Sequence, residues 1–170
     1  MEDYLWDLAE NDEARVQELI DGAGVTRPIA LVLNARGIAP EQIQDFLNPS
    51  LSNIGDPYLL PGTRDASARL WQAIQKNQRI LIHGDYDTDG ITASALVAWV
   101  LRRNGAQVEC YLPHRIDDGY GLTAESIAKT NVDNFDLLLT VDCGITSYEA
   151  VALALEKNLD LIITDHHTPG

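Results

Sequence analysis

A chain of 170 residues has room for one ordinary domain, or for one domain with a small appendage, and its 45% hydrophobic and 22% charged residues suit a water-soluble globular fold. No run approaches the ~20 apolar residues of a membrane span, and the N-terminus M-E-D-Y-L-W-D-L is acidic where a secretory signal is basic, so the expected location is the cytoplasm, away from any membrane. The formal net charge of -14 argues against broad attraction to nucleic acid; a polyanion must be held locally, through metal ions and a few cations.

Met1 to Gly24 carries scattered apolar positions, Leu5, Trp6, Leu8, Val16, Leu19 and Ile20, among many acids, which predicts weak helices. Pro28 sits where a first helical turn favours it, Ile29 to Ala35 run apolar until Gly37, and Pro40 opens a short helix through Phe46 and Leu47. Asn48 to Gly62 is dense in turn residues and reads as a linker or wrapping loop. A helix from Arg64 to Lys76 follows, with Ala68, Trp71, Ala73 and Ile74 able to share a face.

From Arg79 the pattern becomes regular. Strand Arg79 to Ile82, helix Ile91 to Arg103, strand Val108 to Leu112, a polar loop from His114 to Gly121 and a helix from Thr123 to Lys129 come in turn. Strand Leu137 to Val141, a helix capped by Thr146 or Ser147 and ending near Lys157, and strand Leu159 to Ile163 complete the series. This alternation predicts an α/β fold with a doubly wound parallel sheet and right-handed crossovers, preceded by a small helical region. Cys110 and Cys143 lie in strand or strand-end segments without C-x-x-C spacing, so both are expected to be buried thiols rather than a disulfide or zinc site.

The stretch H-G-D-Y-D-T-D-G, His83 to Gly90, places Asp85, Asp87 and Asp89 at alternate positions in a tight turn between a strand and an alanine-rich helix. Three carboxylates this close repel, and a multivalent cation relieves them. A calcium loop of the D-x-D-x-D-G type needs a carboxylate at its twelfth position, here Leu96, and a helix in front, here a strand. A solvated acidic turn without a ligand is the other plain reading. Against it, His83, His114, His166 and His167, the four histidines of the chain, all fall at or just beyond predicted strand ends, together with Asp142. In open parallel sheets that edge is where ligands bind. Carboxylates mixed with imidazoles favour Mn²⁺ or Mg²⁺, and more ligands than one ion needs suggest two ions sharing a carboxylate, a device suited to phosphodiester hydrolysis.

These residues also carry a resemblance. H-G-D-Y-D-T-D-G, V-D-C-G-I at Val141 to Ile145 and T-D-H-H at Thr164 to His167 resemble the first three motifs of the DHH phosphoesterase superfamily. L-N-A-R-G-I, F-L-N-P-S-L, D-P-Y-L-L-P-G, Y-L-P-H-R and D-D-G-Y-G-L are similar to segments of its RecJ branch of single-stranded-DNA-specific 5′-to-3′ exonucleases. The resemblance implies a helical region over residues 1–62 and a DHH domain over 63–170 that is incomplete at its C-terminus, because the family's fourth motif, with a further Asp ligand, and its nucleic-acid-gripping domains come later. It implies metal ligands His83, Asp87, Asp89, Asp142, as the bridge, and His166. His167 is implied as the catalytic histidine beside the scissile phosphate and Asp85 as the carboxylate orienting the ligands, while His114 and Arg115 are either phosphate contacts or structural members of their loop.

The implied cofactor is a pair of Mn²⁺ or Mg²⁺ ions. The implied partners are the 5′ end of single-stranded DNA and the single-strand-binding and recombination proteins of DNA repair. The implied parent is an exonuclease, with little activity expected of these 170 residues alone. Two other readings stay open: a DHH phosphodiesterase of short oligonucleotides or cyclic dinucleotides, and a replication scaffold that keeps the fold without catalysis. Residues Phe46 to Gly62, which a dinucleotide enzyme does not need, argue against the first. The intact set of candidate ligands argues against the second.

Overall fold

The computed structural model describes residues 10–169; the expected helix positions Leu5, Trp6 and Leu8 lie outside them. The chain divides into two compact units, one ending at Leu59 and the other beginning at Leu60.

In the first unit, α1 (Glu13–Ala23) starts at Asp12, whose carboxylate accepts the amides of Ala14 and Arg15, and stops at Gly24 in the left-handed region. Pro28 lies in the first turn of α2 (Arg27–Ala35), and a 3₁₀ turn at Pro40–Gln42 leads into α3 (Ile43–Leu47). Val16, Leu19, Ala30, Leu33 and Ile43 form the core of this unit. Asn48 to Leu59 holds two 3₁₀ turns, Leu51–Asn53 and Pro57–Leu59, with Leu51, Ile54 and Leu59 exposed.

The second unit contains α4 (Thr63–Gln75), β1 (Arg79–Gly84), α5 (Thr88–Arg103), β2 (Gln107–Tyr111), α6 (Ala124–Lys129), β3 (Leu137–Val141), α7 (Tyr148–Glu156) and β4 (Asp160–Thr164). The strands are all parallel, in the order β2-β1-β3-β4, with Ile80 opposite Leu137 and Leu138 opposite Leu161. Strand alternation sorts side chains between two cores. Ile80, Ile82, Leu137 and Leu139 face Ala73 of α4 and Ala98 and Leu101 of α5. Leu81 and Leu138 face Ile127 of α6 and Ala150 and Ala154 of α7. Each wholly buried aliphatic side chain contributes about 1.5–3 kcal/mol, so the central strands β1 and β3 anchor the unit. Helices on both faces make the sheet doubly wound, as the sequence alternation predicts.

Strand bounds shift by one or two residues from the sequence reading, and two further details differ. Helix α5 begins at Thr88 rather than Ile91, because Asp87 acts as its N-cap and accepts the Gly90 amide at 3.2 Å. Cys110 is exposed, not buried, because β2 is an edge strand; Cys143 is buried. Among the described residues no helix is long and apolar enough to cross a membrane.

Candidate metal centre

The carboxyl ends of β1, β3 and β4 bring their acidic and histidine side chains to one edge of the sheet. After β1 the chain turns so tightly that a Cβ on Gly90 would lie 2.6 Å from the Asp85 carbonyl oxygen and 2.7 Å from its amide nitrogen; only glycine fits there. The turn buries Asp85 completely: one of its oxygens accepts the Tyr86 amide at 2.7 Å, and the other, Oδ2, is buried without a partner. Asp87, the N-cap, and Asp89, in the first turn of α5, sit where the amide-rich end of a 16-residue helix favours negative charge. Asp89 lies within hydrogen-bonding reach of Asp87, which holds its carboxyl below the usual range.

Asp142, directly after β3, has a φ of 63°, a conformation that non-glycine residues adopt rarely and that recurs at functional sites. Its amide is tied to the Thr164 carbonyl, Oδ1 receives His166 Nε2 at 2.9 Å, and Oδ2 is buried without a partner. His166 also lies 3.7 Å from Asp89. Burial pushes the carboxyls of Asp85 and Asp142 above their ordinary range, and repulsion from Asp87 and Asp89 adds to it.

Two sets of donor atoms converge within 4.8 Å: those of Asp85, Asp87 and Asp142, and those of Asp142, His166 and His167. Asp142 belongs to both. The two buried, unpartnered carboxylate oxygens suit a cation held between these side chains. Oxygen and imidazole donors without a thiolate in either set fit Mn²⁺ or Mg²⁺.

The structure does not bring His83 into either set. It shares the face of Leu81 and points toward α6, where Nε2 lies 3.1 Å from Ser126 Oγ and Nδ1 lies 3.8 Å from Cys143 Sγ. Burial lowers its pKa to about 4, so the ring is neutral. His114 Nδ1 lies 2.9 Å from Asp117 Oδ2, and Arg115 lies over the Tyr86 ring at 5.6 Å; both line a recess together with Asp87.

Sequence reasoning missed two residues. Asp165 accepts the amides of Ile145 and His167, both at 2.9 Å, and His167 Nδ1 at 2.7 Å. Burial opposes its ionisation, yet these donors together hold its carboxyl below the usual range, and Asp165 in turn raises the pKa of His167. The Tyr120 hydroxyl lies 3.1 Å from His167 Nε2. Asp165 was within sight as the first letter of D-H-H, but nothing in the sequence says which neighbour it holds.

The sequence pattern of the DHH family, N-terminal domain, matches residues 79–170, more than half of the chain and every acid and histidine just described. The chain belongs to the DHH family. Among DHH relatives, the single-stranded-DNA-specific exonuclease RecJ of Bacillus subtilis is 35% identical over 166 residues, 97% of this chain and 21% of the relative. RecJ of Thermus thermophilus is 44% identical over 111 residues, 65% of this chain and 16% of the relative. A crystal structure of RecJ from Thermus thermophilus in complex with Mn²⁺ superposes with a TM-score of 0.64 at 34% identity, covering 96% of this chain and 22% of that one. Another, of exonuclease RecJ bound to manganese, gives 0.61 at 45% identity over 66% of this chain and 29% of that one. The chain thus spans about a fifth of the length of the curated RecJ relatives it matches.

Proposed function

We propose that this DHH chain carries the metal-binding part of a RecJ-like exonuclease, which hydrolyses phosphodiester bonds from the 5′ end of single-stranded DNA with Mn²⁺ or Mg²⁺ in recombination and repair. The observation that carries the reading is the pair of buried, unpartnered carboxylate oxygens, Asp85 Oδ2 and Asp142 Oδ2, in one cluster shared by three strand ends. Asp85, Asp87 and Asp142 would hold one ion, and Asp142, Asp89 and His166 a second. Such ions supply an activated water and stabilise charge on the attacking and leaving oxygens.

The remaining work falls to the protein's own side chains. Asp165 keeps the Nδ1 proton of His167 in place, so Nε2 is the nitrogen left to exchange a proton or a hydrogen bond with substrate. Tyr120 meets that nitrogen and fixes its direction. Arg115, supported on Tyr86, offers a cationic contact and His114 a ring nitrogen that orient a phosphate beside Asp87. His83 supports the cluster from behind, joining β1 to α6 through Ser126.

Titration calorimetry with Mn²⁺ on this chain and on Asp142→Asn tests the reading. Asparagine tolerates the left-handed backbone of position 142 and removes only the charge. Binding by the wild type and a loss of at least tenfold in the variant are expected; equal binding by the two proteins, or none by the wild type, would sink the assignment.

A further inference from the structure

Beside the metal centre runs a groove that the proposed chemistry leaves unused. One wall is the outer face of α5, with Ile91, Ala95 and Trp99; the other is the edge strand β2 and the residue after it, with Cys110 and Leu112. Ile91 and Leu112 also line the recess of Tyr86, Asp87 and Arg115, so the two depressions adjoin along these side chains. The groove starts at the acidic turn and follows α5 toward its carboxyl end. Asp87 and Trp99 are separated by about 18 Å of helix, at roughly 1.5 Å per residue.

Three features of the groove point to one kind of occupant. Trp99 is 59% exposed, a large apolar surface held beside charged neighbours. Ser94, 2% exposed, lines the groove with a hydroxyl that has no partner. The third feature is the distribution of cations in an acidic chain. Arg27, Arg69, Arg79, Lys129 and Lys157 are each ion-paired with a carboxylate. The arginines bordering the groove are held differently: Arg102 donates to the Val108 carbonyl at 2.9 Å, Arg103 lies over Trp99 at 5.2 Å, and Arg115 lies over Tyr86 at 5.6 Å. An aromatic ring with a guanidinium upon it therefore stands at each end. Such pairs offer a stacking surface for a base and a positive charge for its phosphate, the combination that binds single strands without reading their sequence.

We propose that this groove is a track for single-stranded nucleic acid leading away from the metal centre, with bases stacking on Trp99 and phosphates lying against Arg102 and Arg103. It rests on the reading of the acidic cluster as a phosphodiesterase centre. Its length suits about five nucleotides at the roughly 3.4 Å spacing of stacked bases. The strand reaches the cluster past Arg115, along arginines held by a carbonyl or an aromatic ring.

The test is fluorescence anisotropy in Mn²⁺ with 5′-phosphorylated, 3′-labelled oligothymidylates of three and ten residues, on wild type, Trp99→Ala and Arg103→Ala. The wild type should bind the ten-mer at least tenfold more tightly than the trimer. Trp99→Ala should weaken the ten-mer roughly tenfold while leaving the trimer and Mn²⁺ affinity unchanged. Arg103→Ala should lower the slope of log affinity against log salt by about 0.7. If trimer and ten-mer bind equally, or Trp99→Ala leaves the ten-mer unchanged, the track is wrong while the metal centre stands. A Trp99→Ala variant that changes only the sedimentation of the protein would make the groove a protein interface and likewise overturn it. Loss of Mn²⁺ and trimer binding in the wild type removes both the track and the function it rests on.

Discussion

The two ends of one sheet treat their acidic residues in opposite ways. Toward the amino ends of the strands Asp136, Glu109 and Asp160 are answered. Asp136 accepts the Arg79 amide at 2.8 Å, Glu109 pairs with the Arg79 side chain, and Asp160 pairs with Arg69 at 2.7 Å. At the carboxyl ends, Asp85, Asp87, Asp89 and Asp142 crowd together, with His166 as the nearest basic group and two carboxylate oxygens left unpartnered. Both ends gather carboxylates on the same sheet. The difference lies in where the counter-charge comes from: at one end it is built into the chain, and at the other a place is kept for it.

The sharpest way to break this contrast is to spoil the turn that crowds the acids. Gly90→Ala forces a Cβ against the Asp85 backbone, which has no flexible end to move aside. A loss of about 3 kcal/mol in urea unfolding is expected, whereas alanine for glycine at an open helix position gains up to about 1 kcal/mol. A milder test compares one acid from each end in metal-free protein. Asp142→Asn should gain about 1 kcal/mol by relieving repulsion, while Asp160→Asn, which breaks an exposed pair with Arg69, should lose no more than about 1 kcal/mol. Urea midpoints of the two variants moving in the same direction would show that the two ends do not differ as described.

The smallest effect is expected in the loop after β2. Asp118, held by Lys129 and by the His114 amide, has its pKa lowered from 3.8 to about 2. A carboxyl depressed in the folded state stabilises above its unfolded pKa and loses that contribution as it protonates. Protection of the His114 amide from hydrogen exchange should therefore hold above pH 4 and fall between pH 4 and about 2. Asp118→Asn should show reduced protection already at pH 7. An unchanged amide in the variant would mean that the loop is held by other contacts.

Much of this could be read from residue order. The apolar runs at Ile80–Ile82 and Leu137–Val141 can satisfy their side chains only as buried strands, and strand-helix alternation leaves parallel pairing as the simple solution. That the acids and histidines follow strand ends was equally legible, since it depends only on local sequence. What could not be read was direction. His83 and Asp85 are two residues apart, yet one turns to Ser126 under α6 and the other into the acidic cluster, because the strand ends between them and its alternation no longer applies. The bond from Asp165 to His167 is local, but Tyr120 arrives from 47 residues away, and the groove along Trp99 needs α5 and β2 side by side.

By itself the sequence determined the elements, their order and the chemistry collected at one edge, because hydrophobic period and residue type are properties of the chain. Only the tertiary structure decided which side chains share a set of ligands, which acids go unanswered and which arginines stay free of carboxylates, because distance and burial exist only once the strands are packed.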